Sequence, residues 1–124
     1  MQAETSVRWF DEIDLTDIPL VGGKNASLGE MYQNLKAQGV QVPYGFAITV
    51  AAYRRFLRES GCETKISEQL KGLNTADILD LRSRGKAIRT VIIEAPLPLL
   101  LQKEIVVAYE RLCHEYGPNT DVAV

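Results

Sequence analysis

The strongest constraint in this chain is its punctuation. Gly22–Gly23, Gly39, Pro43–Gly45, Gly61, Pro96, Pro98 and Gly117–Pro118 separate stretches whose apolar residues recur at helix or strand spacing, and glycine and proline interrupt regular elements. The segments read in order as strand, helix, strand, several helices and a possible last strand. That order suits a helix-rich α+β fold better than a regular doubly wound sheet.

Val7 to Phe10 is β-branched and aromatic and predicts a strand. The acidic stretch from Asp11 to Pro19 reads as a loop. After Gly22–Gly23, residues Leu28, Met31 and Leu35 recur at steps of three and four and predict the inward face of a helix closed by Gly39. Pro43–Gly45 predicts a turn, Phe46 to Thr49 a short buried strand, and Thr49 a cap for the next helix. That helix carries Tyr53, Phe56 and Leu57 on its apolar side and stops at Gly61. A short helix is expected over Lys65 to Lys71, with Ile66 and Leu70 inward. Thr75 is the expected cap of a longer helix with an apolar stripe of Ile78, Leu81, Ile88 and Ile92. Gly85 interrupts that stripe and marks a candidate close helix contact. Pro98 opens a last helix in which Leu101, Ile105, Ala108 and Leu112 face inward. Asp121 to Val124 reads as the start of a further strand.

Composition narrows the function classes. The 124 residues, 46% apolar and 24% charged, are those of an ordinary globular domain or part of one. Fourteen basic against sixteen acidic residues give a net charge of −2, which argues against a nucleic-acid partner held by phosphate neutralisation. No run approaches the roughly 20 apolar residues of a membrane span, and Met1 to Trp9 shows no secretory pattern. Cys62 and Cys113 form no metal-ligand motif and are expected to be reduced thiols of a cytoplasmic protein.

One segment suggests chemistry. Gly22, Gly23 and Lys24 lie between an apolar run and a helix. Paired glycines let backbone approach a bulky anion, the first amides of the following helix lack partners, and Lys24 adds a mobile positive charge. Together they form a candidate phosphate cradle. It is not a P-loop: Ile18 stands where that motif needs glycine, and Asn25 where it needs Ser or Thr. A glycine turn feeding a helix, with Lys24 solvated, is the plain structural alternative.

The run from Val21 to Met31, Val-Gly-Gly-Lys-Asn-Ala-Ser-Leu-Gly-Glu-Met, resembles the N-terminal motif of the phosphoenolpyruvate synthases. Val42 to Thr49, Val-Pro-Tyr-Gly-Phe-Ala-Ile-Thr, is similar to a second block of that family, and Trp9–Phe10 ahead of the first block also fits. The blocks are shared with the wider group of pyruvate phosphate dikinases and rifampicin phosphotransferases. The resemblance implies that residues 1–124 form the N-terminal part of an ATP-grasp-type nucleotide-binding domain with a few short strands. It implies that Lys24, with Gly22 and Gly23, contacts the phosphates of ATP. It implies a parent enzyme that phosphorylates a histidine on a mobile domain and forms phosphoenolpyruvate from pyruvate on another, releasing AMP and phosphate. The family's arginine contact follows a strand like Val122–Val124, so the chain is expected to stop just short of it. The Mg2+ ligands, the phosphohistidine domain and the pyruvate site are expected outside this chain, which alone should be inactive. Its partners would be ATP, the remaining domains of the parent, and another copy through exposed apolar surface. The alternatives are a free-standing, non-catalytic nucleotide-binding or interaction module, and a related phosphotransferase with another acceptor.

Other polar groups read more plainly. His114 lies in the last helix, in a context unlike a phosphohistidine segment. Arg54, Arg55 and Arg58, and the group Arg82, Arg84, Lys86 and Arg89, read as solvated helix faces. Asp11, Glu12, Asp14 and Asp17 lack the spacing and glycine of a calcium loop.

Overall fold

The computed structural model describes residues 5–124. It divides into two compact units, one of residues 5–53 with 99–124 and one of Arg54–Pro98. Among the described residues there are two strands and six α-helices, which bears out the helix-rich α+β reading.

In the first unit, β1 (Val7–Trp9) pairs antiparallel with β2 (Phe46–Ile48), with Val7 opposite Ile48 and Trp9 opposite Phe46. The ladder extends past both strands, since Thr49 N–H donates to the Ser6 carbonyl and Phe10 N–H to the Gly45 carbonyl, each at 3.0 Å. The segment expected to be a loop is more ordered than that. It forms two 3-10 turns, Phe10–Glu12 and Leu15–Asp17, and then the single-turn helix α1 (Ile18–Val21). Its acidic residues supply the order. Glu12 accepts from the Trp9 N–H at 2.9 Å, Asp17 from the Asp14 N–H at 3.0 Å, and Asp14 from the Thr16 N–H at 2.7 Å. These carboxylates satisfy turn amides.

Helix α2 (Gly23–Lys36) follows. Its buried residues are Ala26, Gly29 and Tyr32, whereas Met31 is 42% exposed and Leu28 and Leu35 are half-buried. The expected face was therefore wrong by a rotation about the helix axis. The cause is Gly29: a Cβ built there would overlap the Ile13 carbonyl oxygen and come within 2.8 Å of the Ile13 Cβ. Ile13 is wholly buried and sits so close that only the small residues of α2 can face it. Ile13, Val21, Ala26 and Ala47 form one cluster, against which Phe10 packs. Tyr32, Tyr44 and Leu112 form another, joined by Trp9 and Phe46. Trp9 stacks on Tyr44 with ring centroids 5.1 Å apart, and the Arg111 guanidinium lies 4.1 Å from the Trp9 ring centre. Burial and the hydrogen bond to Asp11 push the Tyr44 phenol far above its usual range.

Helix α3 (Val50–Glu59) starts in the first unit. Thr49 caps it as expected, its hydroxyl accepting from the Ala52 N–H at 3.2 Å. Ala52 and Phe56 are buried, but Tyr53 is 47% exposed. In the second unit Gly61 adopts a left-handed conformation and α4 (Cys62–Leu70) begins earlier than expected, with Leu70 exposed. Helix α5 (Ile78–Glu94) is capped by Asp77 rather than Thr75: the Asp77 carboxylate accepts from the Leu79 and Asp80 amides, each at 3.1 Å. Ile78 is 68% exposed, so the predicted stripe begins outside the core. Gly85 makes no close helix contact; a Cβ there would approach only the tip of Arg89. Helix α6 (Leu99–Tyr116) belongs to the first unit and buries Leu101, Ala108 and Leu112, as its periodicity predicted, with Ile105 only half-buried. Residues 121–124 form no strand and are exposed. An apolar run becomes a strand only against a partner edge.

Candidate functional site

The Gly22–Lys24 turn joins α1 to α2. Gly22 takes φ +81° and ψ 159°, a region that side chains other than glycine rarely enter. Its N–H closes α1 by donating to the Ile18 carbonyl at 2.8 Å, and its carbonyl opens α2 by accepting from the Ala26 N–H at 3.0 Å. The corner is anchored from beneath, because Val21 and Ala26 lie in the cluster around Ile13. On the outer side Gly23 and Lys24 are exposed, and a Cβ at either glycine would meet nothing within 4 Å.

That geometry leaves the amides of Gly23, Lys24 and Asn25 without intrahelical partners. No side chain caps them. The positive end of a 14-residue helix thus faces open space at Gly23. The structure therefore brings together the three residues singled out in the sequence. Unpartnered backbone donors and a lysine are the kind of groups that anions of phosphate type accept from.

Four residues that support the turn were not among the predicted site residues. Asn25 Nδ2 donates to the Val21 carbonyl at 3.0 Å across the corner. Gly29 admits Ile13. Gln33 Nε2 donates to the Ile13 carbonyl at 2.5 Å, and Glu30 accepts from the Leu15 N–H at 3.3 Å, so α2 holds the 3-10 turns from its side. The available signal was Gly29 itself: a glycine inside a helical pattern costs stability and implies close packing.

The remaining polar groups fall elsewhere. Arg84 is not a solvated residue: its Nη1 donates to the Gln69 and Lys71 carbonyls at 2.8 and 2.6 Å, and its Nε pairs with Asp80 at 2.9 Å. It caps the carbonyl end of α4. Arg54, Arg58, Arg82, Lys86 and Arg89 are exposed, as is His114 on α6. Both cysteines are free thiols. Among the described residues no group of three or more His, Cys, Asp or Glu is placed to hold a metal ion. No helix of the described residues is long and apolar enough to cross a membrane. A cleft of about 450 Å3 in the first unit lies between β1 and α6, lined by Val7, Trp9, Lys103, Val107 and Arg111 among others. None of Gly22, Gly23 and Lys24 lines it.

Residues 18–124 match the family described as pyruvate phosphate dikinase, AMP/ATP-binding domain. The chain is 44% identical over 123 residues to a phosphoenolpyruvate synthase of Synechocystis, covering 95% of this chain and 15% of that protein. It is 43% identical over 124 residues to the phosphoenolpyruvate synthase of Aquifex aeolicus, covering 99% and 14%. The Deinococcus radiodurans phosphoenolpyruvate synthase is 46% identical over 118 residues, covering 95% and 15%. The chain thus spans about a seventh of the length of these relatives. The family match begins at Ile18 and takes in the whole Gly22–Lys24 corner, and on this ground the chain belongs to the pyruvate phosphate dikinase AMP/ATP-binding domain family.

Proposed function

We propose that residues 1–124 are the N-terminal portion of an ATP-grasp-type nucleotide-binding domain in a phosphoenolpyruvate synthase, a pyruvate, water dikinase. Gly22 and Gly23 bring backbone amides to the phosphates of ATP, and Lys24 supplies the charge that holds their oxygens. The observation that carries this reading is the open, glycine-lined start of α2 beside Lys24, inside the segment matched by an AMP/ATP-binding family.

The parent enzyme on this reading converts ATP, pyruvate and water to phosphoenolpyruvate, AMP and phosphate. The phosphoryl group travels on a histidine of a domain outside this chain. Mg2+ serves the full enzyme through ligands that also lie outside it. The role of residues 22–24 is to bind and orient ATP, and the chain alone carries no catalytic group. Pyruvate is supported as acceptor by the names of the relatives; a different acceptor would be chosen by other domains. We place the protein in the cytoplasm. Exposed apolar residues, such as Ile78 and Leu79 on α5 and Val106 and Val107 on α6, are surfaces for the remaining domains or for another copy.

Calorimetric titration of the chain with ATP tests the proposal. Lys24→Ala removes a charge-assisted contact, commonly about 1.5–3 kcal/mol, and should weaken ATP binding tenfold or more. Lys36→Ala, at the other end of α2, should leave it unchanged. Equal affinity of Lys24→Ala and the unaltered chain would contradict the assignment.

A further inference from the structure

We infer that Asn25 is a positioning residue for the phosphate-facing amides of α2, acting through the Val21 carbonyl. In an unbroken helix the Val21 carbonyl would accept from the backbone N–H of Asn25, four residues on. The turn at Gly22, with φ +81°, breaks that register. The side-chain amide of Asn25 takes the place of its own backbone amide, donating to the Val21 carbonyl at 3.0 Å. The last carbonyl of α1 is thereby satisfied, and the Asn25 N–H stays available at the first turn of α2.

The substitution has a geometric consequence. The corner is closed by two bonds near Gly22, from Gly22 N–H to Ile18 and from Ala26 N–H to Gly22. Both run through Gly22, the residue with the greatest backbone freedom. The Asn25 side chain adds a third tie that bypasses Gly22 and joins α2 to the end of α1 directly. Asn25 is half-buried, and both helices rest on the Ile13 cluster through Val21 and Ala26. The tie therefore fixes the direction of the Gly23, Lys24 and Asn25 amides relative to a rigid floor.

This inference rests on the reading of Gly22–Lys24 as the nucleotide site, and the test separates the two. Asn25→Ala removes the donor. Asn25→Gln keeps a side-chain amide donor. In 15N-labelled chain, Asn25→Ala should lower the heteronuclear NOE and speed amide exchange at Gly23 and Lys24, and Asn25→Gln should recover part of both. By calorimetry Asn25→Ala should weaken ATP about five-fold, the worth of one net hydrogen bond, with Asn25→Gln closer to the original and the thermal midpoint little changed. Unaltered dynamics at Gly23 and Lys24 in Asn25→Ala overturn the tie, whatever ATP does. Altered dynamics with unaltered ATP affinity overturn its positioning role. Absence of ATP binding by the original chain overturns the site reading itself, while the dynamics still decide the tie.

Discussion

Two glycines inside helices should respond to alanine with opposite signs. At Gly29 the new Cβ would overlap the carbonyl oxygen of Ile13, lie 2.8 Å from its Cβ and 3.0 Å from its carbonyl carbon. Ile13 cannot retreat, since it is fully buried and its carbonyl accepts from Gln33. Forcing a methyl into such a site costs about 1–3 kcal/mol. Alanine's better helix propensity returns about 1 kcal/mol. Because the obstacle is backbone, the upper half of the cost range applies, and Gly29→Ala should destabilise the chain by about 1–2 kcal/mol. At Gly85 the nearest atom is the flexible end of Arg89, at 3.3 Å, so the propensity gain should dominate. Gly85→Ala should stabilise by up to about 1 kcal/mol. Urea unfolding followed by far-UV circular dichroism measures both, and fluorescence of the chain's single tryptophan, Trp9, reports the first unit separately, since Trp9 packs with Tyr44 there. A Gly29→Ala chain as stable as the original, or stabilised like Gly85→Ala, would refute the close α2–Ile13 contact that sets the face of α2.

Other consequences are as direct. Arg84→Ala strips two carbonyls at the end of α4 of their donor and should cost about 1–2 kcal/mol; Arg84→Lys, lacking the guanidinium fork, should recover only part of it. Urea titration of α-helical circular dichroism reads both, and a neutral Arg84→Ala contradicts the capping role. The Asp14 carboxyl is held below its ordinary value of 3.8, first by the Thr16 hydroxyl and then by the Thr16 amide. Since the folded value is the lower one, its contribution to stability is present above pH 3.8 and is lost as pH falls through the folded value. Carboxyl 13C titration should show Asp14 titrating below 3.8, with Thr16→Ala moving it upward; a value at or above 3.8 contradicts the hydrogen bond.

How much of this was legible depended on which residues made the contact. In α6 large apolar side chains meet the core, so spacing alone identified Leu101 and Leu112. In α2 the same rule chose Leu28, Met31 and Leu35, but the contact with Ile13 is made by Ala26 and Gly29. Periodicity weighted by size cannot find a face whose function is to be small. The acidic stretch read as a loop because its order comes from carboxylates bonding amides two or three residues away, a signal without hydrophobic period. Thr75 and Asp77 are both good caps, and the two Asp77 bonds decided between them. The turn at Gly22–Gly23 and the helix start after it were legible because glycine punctuation is a local signal. Their support was not, since Asn25 acts on Val21 only once Gly22 has turned the chain.

The most direct test of the central claim is an amide chemical-shift map of 15N-labelled chain titrated with ATP. The account predicts saturable shifts concentrated at Gly22, Gly23, Lys24 and Asn25, with Lys24→Ala needing about tenfold more ATP, or more still, to reach the same saturation. Shifts centred instead on the cleft between β1 and α6, around Trp9, Lys103 and Arg111, or no saturable shifts at all, would contradict it.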